Sequence, residues 1–341
     1  MQRSEWSRRV FLRRTAMASF APSLLSRLPL RSTLTRPEER RTAKVVWVQH
    51  KGVMDEKGNV NRDILGAMLD RAICELAGEK DPAAALAKYI HPEDVVGLKV
   101  NTLGLRQVAG TPYVSHFMAV AEVLTGRLAR IIGKPERVVV WDRNNGDLQS
   151  AGYRINVEGE GMRCYGTQDT VGYDDQDYAA GERRTRFSRI LTQHTTALIN
   201  VPVVKTHPWS GVTGALKNHY GSIANPNDFH NNNCTQPGIP EINALPPVRE
   251  KTRLIVVDAL WVVFEHGPRW GLDFMQPLKA IWASTDPVAV DRVILDTIDR
   301  IRAAQKLPSV AEAALHIELA GKMGLGEWRL EKIDLNRVVL G

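Results

Sequence analysis

The sequence has little cysteine and none of the short signatures that mark the commonest cofactors. Three cysteines, Cys74, Cys164 and Cys234, are spread over 341 residues. No C-x-x-C pair occurs, which excludes a zinc knuckle and an iron–sulfur ligand run. At most one disulfide can form. Cys164 and Cys234 lie in polar, loop-like stretches and are the pair open to an oxidising compartment, whereas Cys74 falls on a predicted helix face as core. No G-x-G-x-x-G follows the first predicted strand and no P-loop is present, so a dinucleotide fold has no support. There is no internal repeat. No apolar run is long enough to give the body of the chain a stable membrane span.

Charge is unevenly placed. The formal net charge is +7, but Arg3, Arg8, Arg9, Arg13, Arg14, Arg27, Arg31, Arg36, Arg40 and Arg41 crowd the start. The basic excess therefore belongs to a leader and does not point to nucleic acid. Within it, Ser7-Arg8-Arg9-Val10-Phe11-Leu12-Arg13 forms a twin-arginine pattern before a short apolar stretch, a receptor-read export address. Residues 1–40 are expected to be this leader and a linker. The expected partner is the twin-arginine export machinery, and the expected location is periplasmic or otherwise exported. That pathway carries folded proteins, often with a cofactor already inserted.

Residues 41–341 alternate apolar runs with helical patterns. Strands are predicted at 44–50, 95–100, 137–141, 197–204, 254–260 and 279–283, with a short terminal strand around Ile333 or Val338. Helices are predicted at 62–76 (capped by Asn61), 83–89, 111–131 (Thr111 cap, Pro112 in the first turn), 148–153, 286–301 and 311–320. Two insertions interrupt the pattern. Residues 158–186 read as the least structured part, and 225–247 as a long polar loop in which His230, beside Asn231-Asn232-Asn233, is incidental. The fold class is α/β, with a mainly parallel or mixed sheet flanked by helices and a ligand crevice at the C-terminal ends of the strands.

Chemistry concentrates in residues 197–223, ALINVPVVKTHPWSGVTGALKNHYGSI. An apolar run of strand length gives way to Lys205, Thr206 and His207, and a short helix then carries Lys217, Asn218 and His219. Lys205 and Lys217 can stabilise an anion or oxyanion, and His207 can transfer a proton. Ser210, Gly211, Thr213 and Gly214 would let backbone N–H groups approach an anion at the helix start. Lys99 and Asn101 close another strand and would face the same crevice, and Asp142 closes a third. His207 and His219, with Asp258 and either His266 or His230, could supply a divalent metal, although their spacing fits no standard zinc motif. The cofactor is thus unspecified, a divalent metal or a phosphate-bearing group, and the partner is a small anionic ligand. A competing expectation is that Lys205 and Lys217 satisfy internal carboxylates such as Asp258, Asp286 or Asp291 and form a buried network with no ligand. His50, His91, His116, His194 and His316 lack comparable neighbours. Trp209, Trp261, Trp270 and Trp282 lie near the proposed face, available to stack on a ligand or to pack under a loop.

These residues carry a resemblance. Lys99 with Asn101, Asn200 through His207, Gly214 through Asn218 followed by Gly221, Val257-Asp258-Ala259, and Ala283 through Asp291 occur in an order that resembles the bacterial and archaeal family called domain of unknown function 362. The likeness spans roughly residues 44–320. It implies no established activity. Some members of the family carry ferredoxin-like cysteine clusters, which this sequence lacks, so a redox role does not transfer. Residues 210–218 also resemble, more loosely, the lysine-bearing glycine-rich segment of nickel-pincer lactate racemases, which would suit a cofactor-handling α/β protein. The implied function is an exported protein with a Lys/His pocket for an anionic substrate or cofactor, either a metal-assisted enzyme or a non-catalytic binding protein.

Overall fold

The structure is a computed structural model that describes residues 43–105 and 115–341. The twin-arginine pattern and the Thr111–Pro112 helix start lie outside the described residues. In chain order the elements are β1 (Ala43–Gln49), α1 (Arg62–Ala77), α2 (Pro82–Ala87), β2 (Val96–Lys99), α3 (Ser115–Ile132), β3 (Val138–Asp142), α4 (Asn145–Ser150), β4 (Arg163–Gly166), β5 (Tyr178–Ala180) and β6 (Arg183–Thr185). They continue with β7 (Ala197–Asn200), β8 (Val203–His207), β9 (Gly211–Thr213), α5 (Ala215–Asn218), α6 (Ile239–Ala244), α7 (Pro246–Arg249), β10 (Thr252–Val263), β11 (Met275–Ser284), α8 (Pro287–Ala304), α9 (Leu315–Lys322) and β12 (Ile333–Val339).

One sheet runs in the order β12-β1-β11-β10-β7-β2-β3-β4. Its centre consists of parallel strands buried on both faces, which is why β2, β3 and β7 read as near-continuous apolar runs. Alternation still sorts their side chains. Val138 and Val140 join the core under α1, α2 and α3, while Val139 and Trp141 join the opposite core under α5, α6, α8 and α9. Helix α1 starts where Asn61 accepts from the amides of Asp63 and Ile64, and it stops at Gly78 in the left-handed conformation.

Of the two sheet types expected, the sheet is the mixed one, because β11 runs antiparallel to both β1 and β10. Other expectations change. The predicted strand 197–204 is two strands: the ladder breaks at Val201-Pro202, where proline cannot donate. The first piece pairs with β10 from Thr252 to Ile255, and the second pairs further along the same strand. Residues 158–186 are ordered into β4, a π-helical turn and the β5–β6 hairpin. The 225–247 segment carries α6 and α7. The last predicted helix begins only at Leu315, after a 3-10 turn at Ala311–Ala313. Cys164 and Cys234 do not pair. All three cysteines are free and buried, and Cys164 and Cys234 belong to different cores. Among the described residues no helix is long and apolar enough to cross a membrane.

Candidate functional site

The parallel strands end together. Lys99 closes β2, Asn200 closes β7 in register with it, and Asp142 closes β3 one residue beyond Trp141, the partner of Lys99. From β2 the chain proceeds outward to β3 and β4, then returns to the other side of β2 with β7 and continues to β10. The direction of winding therefore reverses between β2 and β7, under Lys99 and Asn200.

Lys99 is fully satisfied. Its Nζ donates to Asp142 Oδ1 at 2.7 Å, to the Val100 carbonyl at 2.7 Å and to Asn218 Oδ1 at 3.2 Å. The other Asp142 oxygen accepts from the Thr102 amide at 2.8 Å and hydroxyl at 2.7 Å. Burial pushes the Lys99 pKa down despite Asp142. Burial also opposes ionisation of Asp142, but Lys99 and Thr102 outweigh it and hold the carboxyl below its usual range. Gly221 makes room for this pair, since a Cβ there would sit 2.7 Å from Asp142 Oδ1 and 2.8 Å from Lys99 Nζ.

Three buried amides extend inward from the pair. Asn218 Nδ2 donates to the Lys99 carbonyl at 3.0 Å and to Asn200 Oδ1 at 2.7 Å, straddling β2 and β7. Asn101 Nδ2 donates to Asn218 Oδ1 at 3.0 Å. Asn101 Oδ1 in turn accepts from Lys205 Nζ at 2.7 Å. At the other end Asn200 Nδ2 donates to the Ala215 carbonyl and lies 3.3 Å from His219 Nε2. A cavity of about 260 Å³ reaches Asn200 and His219 past Asn243 and Arg249, but its lining includes neither Lys205 nor Lys217.

Lys205 and Lys217 differ from Lys99. Lys205 is 1% exposed, and its Nζ bonds only neutral oxygens, Asn101 Oδ1 and the Leu103 carbonyl at 2.9 Å, with the Trp270 ring centroid 5.7 Å away. Lys217 Nζ lies 3.3 Å from His230 Nε2, 3.7 Å from Cys234 Sγ and 3.8 Å from the centroid of Tyr220. Among the described residues no carboxylate forms an ion pair with either lysine. Burial, followed by the opposing influences of Asp142 and the neighbouring lysines, brings Lys205 down to about 7; burial brings Lys217 to about 8. The expectation that Asp258, Asp286 or Asp291 would neutralise them is overturned.

His207 lies two residues beyond Lys205 on β8. Its Nδ1 accepts from the amides of Trp209 (3.3 Å) and Ser210 (3.4 Å), which puts the proton of the neutral ring on Nε2. Burial first, then Lys217, His230 and Lys205, push its pKa far below the usual value. His207 and His230 stack at 5.7 Å. Burial and Lys217 bring His230 down to about 4. Thr213 stands opposite Lys205 in the β8–β9 ladder, so the two side chains share a face, and the buried Thr213 hydroxyl has no hydrogen-bond partner.

The start of α5 is not open to a ligand. Asp291 of α8 reaches it, accepting from the amides of Ala215 at 2.5 Å and Leu216 at 3.1 Å. Gly214 permits the approach, because a Cβ there would lie 2.1 Å from Asp291 Oδ1. Buried His316 stands behind, with Nε2 3.8 Å from Asp291 Oδ2. Ser210, expected to help cradle an anion, is buried with its hydroxyl donating to the Val212 carbonyl.

The structure therefore brings together Lys99, Asn101, Lys205, His207, Thr213, Lys217 and Asn218, with the neutral His219 at one edge, pushed down to about 3 by burial and Lys99. Asp258 and His266 join no metal-holding group with His207 and His219 among the described residues. Asp258 is buried on β10, accepts from the Leu260 amide and is pushed up to about 7 by burial. His266 is exposed beside Glu265 and against Phe274. Among the described residues no three His, Cys, Asp or Glu side chains form a metal-holding group. Sequence reasoning offered His230 as an alternative metal ligand or an incidental loop residue, and Cys234 only as a disulfide partner; it missed that the two complete the surroundings of Lys217. The run of asparagines beside them resembles a solvent loop, and no local pattern says otherwise.

The profile of the family described as "Domain of unknown function (DUF362)" matches residues 96–296, the span from β2 into α8 that contains every residue of this cluster. No curated protein matches the chain. Among solved structures, the chain is similar at 11% identity and a TM-score of 0.42 to the lactate racemase apoprotein from Thermoanaerobacterium thermosaccharolyticum, covering 74% of this chain and 56% of that one. A protein from Thermotoga maritima is similar at 11% identity and a TM-score of 0.36, covering 79% of this chain and 61% of that one. The chain thus spans less than two thirds of the length of either.

Proposed function

This chain belongs to the DUF362 family, and from that premise we propose that its Lys205–Lys217–His207 cluster binds a small anionic substrate in the crevice at the strand ends and transfers a proton to or from it. One observation carries the reading: two buried lysines that have no carboxylate partner among the described residues, both brought close to neutrality. Uncompensated buried ammonium groups are costly, and an incoming anion would supply the missing charge. Lys205, titrating at about 7, is the acid–base group suited to neutral pH. Lys217 is the fixed cation. His207, held neutral, donates a hydrogen bond from Nε2, and the Thr213 hydroxyl supplies another. The anion is a carboxylate, a phosphate or the phosphate of a cofactor; a divalent metal has weaker support, because no metal-holding group forms among the described residues.

Calorimetric titration with inorganic sulfate, whose charge is constant over the working range, tests this. Affinity should be greatest below pH 7 and fall as pH rises through about 7 and about 8, where the lysines lose their protons. Lys217→Met should weaken binding by at least about tenfold. Unchanged binding in both Lys205→Met and Lys217→Met would refute the site. A second reading, a non-catalytic carrier, is favoured by the near-complete burial of Lys205, which suits a ligand held rather than turned over. It predicts that a ligand recovered from the protein is chemically unchanged. We further propose export through the twin-arginine pathway; replacing Arg8 and Arg9 by lysine should hold the protein in the cytoplasmic fraction, and undiminished periplasmic recovery would defeat that proposal.

A further inference from the structure

The turn between β8 and β9 carries Trp209, whose side chain is 53% exposed. Its ring meets the His230 ring edge-on at 5.0 Å and lies 5.6 Å from His207. His230 Nε2 is 3.3 Å from Lys217 Nζ, so one imidazole separates the indole from a buried ammonium. Other apolar groups are exposed on the segments that hold Lys205. Leu103, whose carbonyl accepts from Lys205 Nζ, is 52% exposed. Leu272, two residues past the Trp270 ring that lies by the same Nζ, is 53% exposed. Among the described residues seven large apolar side chains are exposed, and these three lie on the segments that bound the lysines. A bare inorganic anion would use the buried ammonium groups and leave these surfaces in water.

Building on the anion-binding reading, we infer that the ligand is an amphipathic anion, a charged head attached to a ring, and that Trp209 recognises the ring while Lys205 and Lys217 recognise the head. An indole offers a wide apolar face at small conformational cost, and about half of Trp209 is left to solvent while its ring lies against His230.

The probes are methanesulfonate and benzenesulfonate, which carry the same fixed charge and differ in the ring. In calorimetric titrations of the wild-type chain, benzenesulfonate should bind about tenfold more tightly. Trp209→Ala should erase that preference while leaving methanesulfonate affinity within about twofold, and Trp209→Phe should restore most of it. Circular dichroism of both variants establishes that the exposed substitution leaves the fold intact. Equal affinities for the two sulfonates, or a preference that survives Trp209→Ala, would overturn the inference and leave the anion site standing. Failure of both sulfonates to bind the wild-type chain would overturn the two together.

Discussion

Asp142 answers Lys99 with one oxygen and fastens Thr102 with the other, whereas Lys205, four bonds along the same polar chain, meets only amide and carbonyl oxygens. The contrast separates a structural lysine from a functional one. Asp142→Asn would leave a buried ammonium facing a neutral amide, and should cost about 3–5 kcal/mol of stability, read as a lower urea midpoint. Lys205→Met removes a buried charge that has no counter-ion among the described residues, so the same measurement should show no loss or a gain of about 1 kcal/mol. The sequence was readable here as far as side-chain type goes. Lys99, Lys205, His207 and Lys217 stood out as polar groups at the ends of apolar runs. What it concealed was which lysine had a partner, because Asp142 and Lys99 are 43 positions apart and meet only through the β2–β3 register.

Helix α5 has four residues, too few to hold itself together, yet it carries both Lys217 and Asn218. Asp291 fixes its first two amides from another helix. Asp291→Ala would strip two buried donors of their acceptor and should cost about 2–3 kcal/mol, with sulfate affinity falling alongside as Lys217 loses its support. A urea midpoint and a titration on the same sample check both. Affinity retained with stability lost would show that α5 stays in place without the cap. The strong periodic elements were legible: α1 and α8 begin and end within a few residues of the expected 62–76 and 286–301. The strand break at Pro202 and the remote cap on α5 were not, since the first is a choice between two partners on β10 and the second links residues about 75 positions apart. The 158–186 segment was misread because its polar composition hides the hydrogen bonds that order it, such as the Thr167–Ser188 hydroxyl pair.

For the molecule as a whole, these buried groups give stability a defined pH profile. Asp258 titrates at about 7 when folded against 3.8 as its ordinary value. The unfolded chain releases that proton first, so the contribution of Asp258 to stability declines from about pH 4 to about pH 7, and its loss is complete above that. Lys205 behaves in the opposite sense: between about 7 and its ordinary 10.5 the unfolded chain binds the extra proton, so stability climbs with pH through that window. His219 and His230 act against Asp258: brought down to about 3 and about 4 from an ordinary 6.5, they leave the unfolded chain with the extra protons below about 6.5, so their contributions climb with pH there. Urea unfolding across pH 4–10 should show that Asp258→Asn steepens the rise of the acid limb and that Lys205→Met flattens the alkaline one. An unaltered alkaline limb in Lys205→Met would mean that the lysine is not buried as described.

Strand β10 is twelve residues long and holds β7 with its first third and β8 with its last, so the amide that ends one and the ammonium borne by the other hang from a single rail. A bulge between Ala259 and Trp261 shifts the register between the two, and the strand runs on through it. Distances within the cluster are consequently inherited from sheet geometry, and drift in sequence at the surrounding loops can retune which molecules gain admission without disturbing how the charges are spaced.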